Sequence, residues 1–341
     1  MNQVTNAAGF PKPAELIEIT GTAALEAQDR AIMNILYQHA HDSGRLADVQ
    51  ADWTLPMTAL RISKHESNDR LHAALDRLMR VIVTVPVLSA KTGEPRLIKT
   101  HLFDFFDLSA NAHASGATIR FGLPKQLQPV LVASGRWGRI KAATVCAMTS
   151  KYAIALYEMV QLRASMERCV ETFPLDRFRE LMGVPKGAYQ LGKDFVRVLD
   201  AAALEVNALA DYGVQVQVTR RHTRAPITAV TVAWWRKEGD DFRATLEELH
   251  QPKAGRRARL QAAQAAAPAA PVSTQAARGE AAPRRPSSAK GARPPAVDQQ
   301  QLDLEDAIAG AGGRSLARAV QRCWTGCTEA ALLHTTGEVG G

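Results

Sequence analysis

From Tyr152 the chain reads Tyr-Ala-Ile-Ala-Leu-Tyr-Glu-Met-Val-Gln-Leu, apolar on almost every side of a helix, as expected of a helix enclosed by a core. Thr149 and Ser150 supply N-caps, and the helix should end near Ala164. Val170 to Phe173 fits a short strand. Pro174 and Asp176 then open a second helix with Phe178, Leu181 and Met182 at helical spacing, and Gly183 stops it. After a turn through Pro185, Gly187 and Tyr189, the residues Phe195, Val198, Leu199, Ala202, Ala203 and Val206 recur at three and four, which predicts a third helix with one buried stripe. Val214, Val216 and Val218 alternate with Gln215 and Gln217 as a half-buried strand, and Ile227 to Trp235 is its antiparallel partner. A helix, a strand, a helix–turn–helix and a two-stranded ribbon, over 149–235, stand in the order of a winged helix.

A weaker copy of the same order precedes it. Leu25, Ile32, Ile35, Leu36 and Ala40 mark a helix, Trp53 to Leu55 a strand, Pro56 to Ile62 a short second helix, and Leu71, Ala74, Leu75, Leu78 and Ile82 a third. Val81 to Leu88 and Leu97 to Phe106 read as one hairpin about Lys91-Thr92-Gly93-Glu94-Pro95; a strand at Thr118 to Phe121 and a helix from Pro124 follow. This hairpin is unusually apolar. Two readings are open: the ribbon packs on its own helices, or Val83, Val85, Leu102 and Phe103 form a seam with a second copy. The predicted class is α+β: a segment 1–23, winged helices over 24–140 and 141–238, and a low-complexity basic tail over 239–341 with room for short helices.

Charge separates the two copies. On the third helix of the second, opposite the apolar stripe, Lys193 and Arg197 stand one turn apart with Gln190 at the entrance, and the ribbon tip reads Arg220-Arg221-His222-Thr223-Arg224. A charge run alone is a solvated loop as readily as a site. Here it accompanies a cationic helix in the two parts of this fold that face a duplex, which favours DNA binding. The first copy carries Asp69, Asp76 and Arg80 at the corresponding place, a mixed set that suits phosphate poorly.

The 341 residues, 46% hydrophobic, allow two domains and an extension. Of the net charge of +8, +7 falls between 251 and 300, where nine cations meet only Glu280 and Asp298. That stretch, rich in Ala and Pro and lacking aromatic residues, is expected to be disordered and to attract DNA without reading sequence. The beginning of the chain lacks a signal-peptide pattern and no run approaches a membrane span, so a cytoplasmic protein without membrane association is expected. Cys146 and Cys169 read as reduced core residues; Cys323, Cys327 and His334 are too sparse for a zinc site, and no metal or cofactor is expected.

An enzyme is not expected. His39-Ala40-His41 is the one textual match to the metal pair of a rolling-circle nuclease, and it falls at a helix end, where imidazoles complement the dipole. A phosphate-binding Gly-x4-Gly-Lys-Ser/Thr loop and a Gly-x-Ser-x-Gly elbow are both absent.

The residues resemble the iteron-type plasmid replication initiators, the Rep superfamily with tandem winged helices. The resemblance spans roughly 12–236. It rests on Ser150-Lys151-Tyr152-Ala153 with Leu156-Tyr157-Glu158, on Pro174-Leu175 to Leu181-Met182-Gly183, and on Phe195 through Leu199 to Ala203, Glu205 and Asn207. Nearer the start it adds Glu15 to Gly21, Asp29-Arg30, Asn34-Ile35-Leu36, His39-Ala40, Leu60-Arg61 and Asn68 to Leu71. It implies a non-enzymatic initiator whose monomer binds directly repeated iterons, helps open the origin and recruits the host initiator and helicase, and whose dimer represses its own promoter at an inverted repeat. Copy control follows from that balance. The first domain would dimerise and add DNA contact. The resemblance places the recognition-helix role on Lys193, Asp194 and Arg197, and the wing role on Arg220, Arg221 and Arg224. Gln301-Leu302-Asp303-Leu304 resembles the peptide by which replication proteins dock on the sliding clamp, with Glu305 where that peptide has Phe; a helix start over Leu302 to Ile308 is the other reading. A winged-helix transcriptional regulator without a replication role remains the alternative.

Overall fold

The structure, a computed structural model, describes residues 9–62, 67–88, 93–109, 116–222 and 225–266. One compact unit runs to Leu260. Strand β1 (Phe10–Pro13) and helix α1 (Ala14–Ile17) lead through a 3₁₀ turn at Thr22–Ala24 into α2 (Ala27–Asp42). α2 begins on a reciprocal cap in which the Glu26 amide donates to Asp29 Oδ2 at 2.8 Å, and it buries Ile32, Leu36, Tyr37 and Ala40. β2 (Asp52–Pro56), a 3₁₀ helix at Met57–Leu60 and α3 (Asn68–Arg80), capped by Ser67, complete the first helix–turn–helix.

Next come β3 (Ile82–Leu88), β4 (Pro95–His101), β5 (Phe105–Leu108) and β6 (Thr118–Gly122). The single long hairpin expected from the sequence is in fact two structures. β3 and β4 form their own ribbon in the register Ile82↔His101 to Leu88↔Pro95, whereas Phe105 and Phe106 open β5, which pairs with β6 in a sheet ordered β2-β6-β5. The chain breaks pairing at Leu102 and Phe103, which turn inward, and resumes with the Asp104 amide donating to Gly122 O at 2.8 Å. Apolar residues run through the break, so the pattern hides it.

That inward turn also corrects the proposed dimer seam. Val83, Val85, Leu102 and Phe103 are each 0% exposed, and Phe103 lies 5.4 Å from Tyr37, 5.0 Å from Phe106 and 5.9 Å from Phe121 between ring centroids. These four belong to the core of their own domain and cannot face a second copy. The exposed face of the ribbon carries Ile82 and Leu97 instead.

After α4 (Gln128–Ala133), β7 (Trp137–Ile140) returns to pair antiparallel with β1, and α5 (Ala142–Ala147) leads to α6 (Lys151–Arg163). Then β8 (Val170–Pro174), α7 (Leu175–Leu181), α8 (Gly192–Leu209), β9 (Tyr212–Arg220) and β10 (Ile227–Arg236) follow in the expected order. Their sheet, β8-β10-β9, repeats the arrangement of β2-β6-β5, with the last strand in the middle. The two winged helices are therefore the same topology, with β3–β4 inserted in the first.

Every residue of α6 from Tyr152 to Arg163 is buried, and its polar side chains are stitched to distant parts of the chain. Glu158 accepts from Lys12 Nζ and Asn34 Nδ2, both at 2.8 Å; Gln161 donates to Asp211 at 2.8 Å; Arg163 donates to Glu18 at 2.7 Å and to Glu171. Strand β1 and helix α2 from the first half thus share one core with the first helix of the second.

The tail from 239, where the sequence leaves room for short helices and is expected to be disordered over 251–300, holds two helices among the described residues. α9 (Gly239–His250) packs on α8, and α10 (Arg256–Ala266) follows. Phe242, Thr245 and Leu249 form a stripe at helical spacing that faces inward. Lys237 Nζ donates to Asn207 O, to Ala210 O at 2.8 Å and to Thr245 Oγ1 at 2.8 Å, tying α9 to the end of α8. Arg256 and Arg259 both donate to Glu248, at 2.9 and 2.7 Å. The Ala-rich composition and excess cations concealed this because the anchoring stripe is short and its centre is a threonine. Residues Gln301, Leu302, Asp303 and Leu304, and Cys323, Cys327 and His334, lie outside the described residues.

Candidate nucleic-acid interface

The turn between α7 and α8 is held from three sides. Arg179 donates to Ala188 O and stacks 5.1 Å from the Phe195 ring, and Tyr189, at φ 51°, packs edge-on against Tyr152 at 6.0 Å. Burial and the hydrogen bond with Tyr189 push the Tyr152 phenol well above its ordinary range, so it stays neutral. A rigid turn fixes where α8 leaves the domain. Phe195, Leu199, Ala202, Val206 and Leu209 fill the core, and the same geometry turns Lys193, Arg197 and Asp200 outward. Gln190 is exposed at the entrance, as expected. Lys186, in the turn itself, is a further exposed cation that sequence reading passed over, although its place between Pro185 and Gly187 marks it as turn surface. Asp194 is half-buried in the first turn of α8, where a carboxylate complements the helix dipole.

The wing is the β9–β10 hairpin. Arg221 and His222 are exposed, Arg220 is partly buried, and Arg224 lies outside the described residues. Among the described residues, Lys186, Lys193, Arg197, Arg220 and Arg221 take part in no salt bridge. The matching parts of the first winged helix differ. Arg120 on β6 lies 3.0 Å from both Asp52 and Asp107, Arg80 on α3 lies 3.3 Å from Asp76, and Arg77 grips Asp29 with Nε at 2.7 Å. Arg77, Arg80 and Arg120 are thus engaged by carboxylates of their own domain, although Arg70 at the start of α3 is exposed and, among the described residues, takes part in no salt bridge, whereas the cations of α8 and the wing are available to an external anion.

His39 and His41 sit in the last turn of α2; His39 Nε2 is bonded to Thr54 O at 3.1 Å and His41 to Asp42 at 3.0 Å. Among the described residues, no group of three or more His, Cys, Asp or Glu side chains could hold a metal, and no helix is long and apolar enough to cross a membrane.

Comparison with known proteins gives one match. Residues 12–161 fit the family model described as initiator replication protein, WH1, a span that runs from β1 through the first winged helix and nearly to the end of α6. No curated protein matches the chain. The matched span contains the whole first winged helix, including the sheet β2-β6-β5 and the inserted ribbon; over that span the chain is similar to the replication initiator proteins.

Proposed function

We propose that this protein is a plasmid replication initiator that reads duplex DNA at a replication origin chiefly through its second winged helix, with α8 in the major groove and the β9–β10 hairpin beside it. The observation that carries the reading is the cluster of cations without carboxylate partners on α8, its turn and the wing, where the first domain instead pairs Arg80 and Arg120 with Asp76, Asp52 and Asp107. In this account a monomer binds directly repeated iterons, helps open the origin and recruits the host initiator and helicase. A dimer represses its own promoter at an inverted repeat, and no catalytic step is involved. A transcriptional regulator would bind DNA through the same residues, so binding alone does not separate the two. A plasmid carrying only this reading frame and its flanking repeats does: autonomous replication in a permissive host is expected, and failure to replicate alongside operator binding would favour the regulator.

A further inference from the structure

Gly192 begins α8, a position that alanine would serve better on helix propensity alone. Its bare Cα faces the last described rung of the wing, Arg220 opposite Ile227. A Cβ on Gly192 would meet Arg220 Nη2 at 2.9 Å, Arg220 Cζ at 3.5 Å and Ile227 Cδ1 at 3.4 Å. Immediately beyond, the ladder slips between Ile227 and Ala229, and Thr228 Oγ1 donates to Thr219 O at 3.3 Å. The outermost rung of the wing therefore rests on the start of the recognition helix, across a residue with no side chain. Arg220, unlike Arg221, is drawn back from solvent onto that contact.

We propose that Gly192 is a positioning and specificity-determining residue. By leaving room for the Arg220 guanidinium against the start of α8, it sets where that flexible side chain lies. It also sets the Arg220 charge on phosphates flanking the base pairs that α8 reads. Phosphate contacts set register, so a shift of Arg220 misplaces the base contacts of Lys193 and Arg197 as well. The inference rests on the reading of the second winged helix as the DNA-binding surface.

The test uses the full chain as wild type, Gly192→Ala, Arg220→Ala and the double variant. The probe is a labelled duplex that the wild type selects from a random-sequence library, with a scrambled duplex as control. Gly192→Ala should keep or raise the unfolding temperature while losing about tenfold in affinity for the selected duplex, and the double variant should bind no more weakly than Arg220→Ala alone. Ethylation interference should weaken at phosphates next to the helix contacts in both single variants. Wild-type binding by Gly192→Ala, or the same loss with and without Arg220, would overturn the proposal. So would a lowered unfolding temperature with equal loss on both duplexes, which marks a packing role. If the wild type selects no duplex, the DNA-reading assignment itself fails, and this proposal with it.

Discussion

Removing one end of the Lys12–Glu158 pair should destabilise the whole compact unit. Lys12, Asn34 and Glu158 are 0%, 0% and 2% exposed and come from β1, α2 and α6. They close a triangle: Lys12 Nζ donates to Glu158 at 2.8 Å and to Asn34 Oδ1 at 3.2 Å, and Asn34 Nδ2 donates to Glu158 at 2.8 Å. Burial lowers the Lys12 pKa, and the attraction and hydrogen bond of Glu158 oppose it. In Lys12→Met the carboxylate keeps Asn34 but loses its counter-ion, a change that costs about 3–5 kcal/mol for a buried pair. For a unit of this size that corresponds to a fall of about 10 °C in unfolding temperature. Lys12→Met/Glu158→Leu removes both charges, and most of the loss should return, because apolar replacement of a buried pair is often close to neutral. Thermal and urea unfolding followed by circular dichroism measures both. A Lys12→Met protein that unfolds within about 2 °C of wild type would refute the reasoning, since the pair would then be hydrated in solution.

Truncation after Lys237 should strip α9 from α8, leave the Lys237 ammonium without Thr245 and cost about 3 kcal/mol from lost burial of Phe242, Thr245 and Leu249; truncation after Ala266 should cost nothing measurable. Urea midpoints compare the two. Burial lowers the Lys237 pKa to about 8, against the opposing charges of Asp241 and Asp211, so between that value and the ordinary 10.5 the unfolded chain binds more protons. Stability from this residue is therefore full above 10.5 and lost as pH falls through 8; wild type should gain on the order of 2–3 kcal/mol relative to Lys237→Met from pH 7 to 10. A constant difference between them across that range would contradict it. Phe103→Glu places a carboxylate among Tyr37, Phe106 and Phe121 and should unfold the first domain, read as lost ellipticity, with no folded monomer as product.

Much of the second winged helix was legible because each element carries its own period: the stripe Phe195, Leu199, Ala202 and Val206 places Lys193 and Arg197 on the opposite face whatever the domain packs against. The first was legible in order but not in pairing. Strand partners are a tertiary choice, and the apolar run from Leu97 to Phe106 is compatible with one hairpin or two. The same run misled the search for a subunit seam, since alternation identifies an apolar face without saying which chain covers it. Asp52, Asp107 and Arg120 lie up to 68 residues apart in sequence, so the pairing of Arg120 appears only once β2, β5 and β6 are side by side. Gly192 carried no signal of its own, because its role lies in what the wing brings against it.

The central claim, that α8 of the second winged helix reads origin DNA, is tested most directly by the affinity of wild type and Arg197→Ala for selected and scrambled duplexes across a salt series. The account predicts a loss of about 1–3 kcal/mol on the selected duplex with little change on the scrambled one, so that specificity relaxes. Arg221→Ala should weaken both alike and reduce the salt slope by about one. Unchanged affinity of Arg197→Ala for both duplexes would remove this helix from the interface and contradict the account.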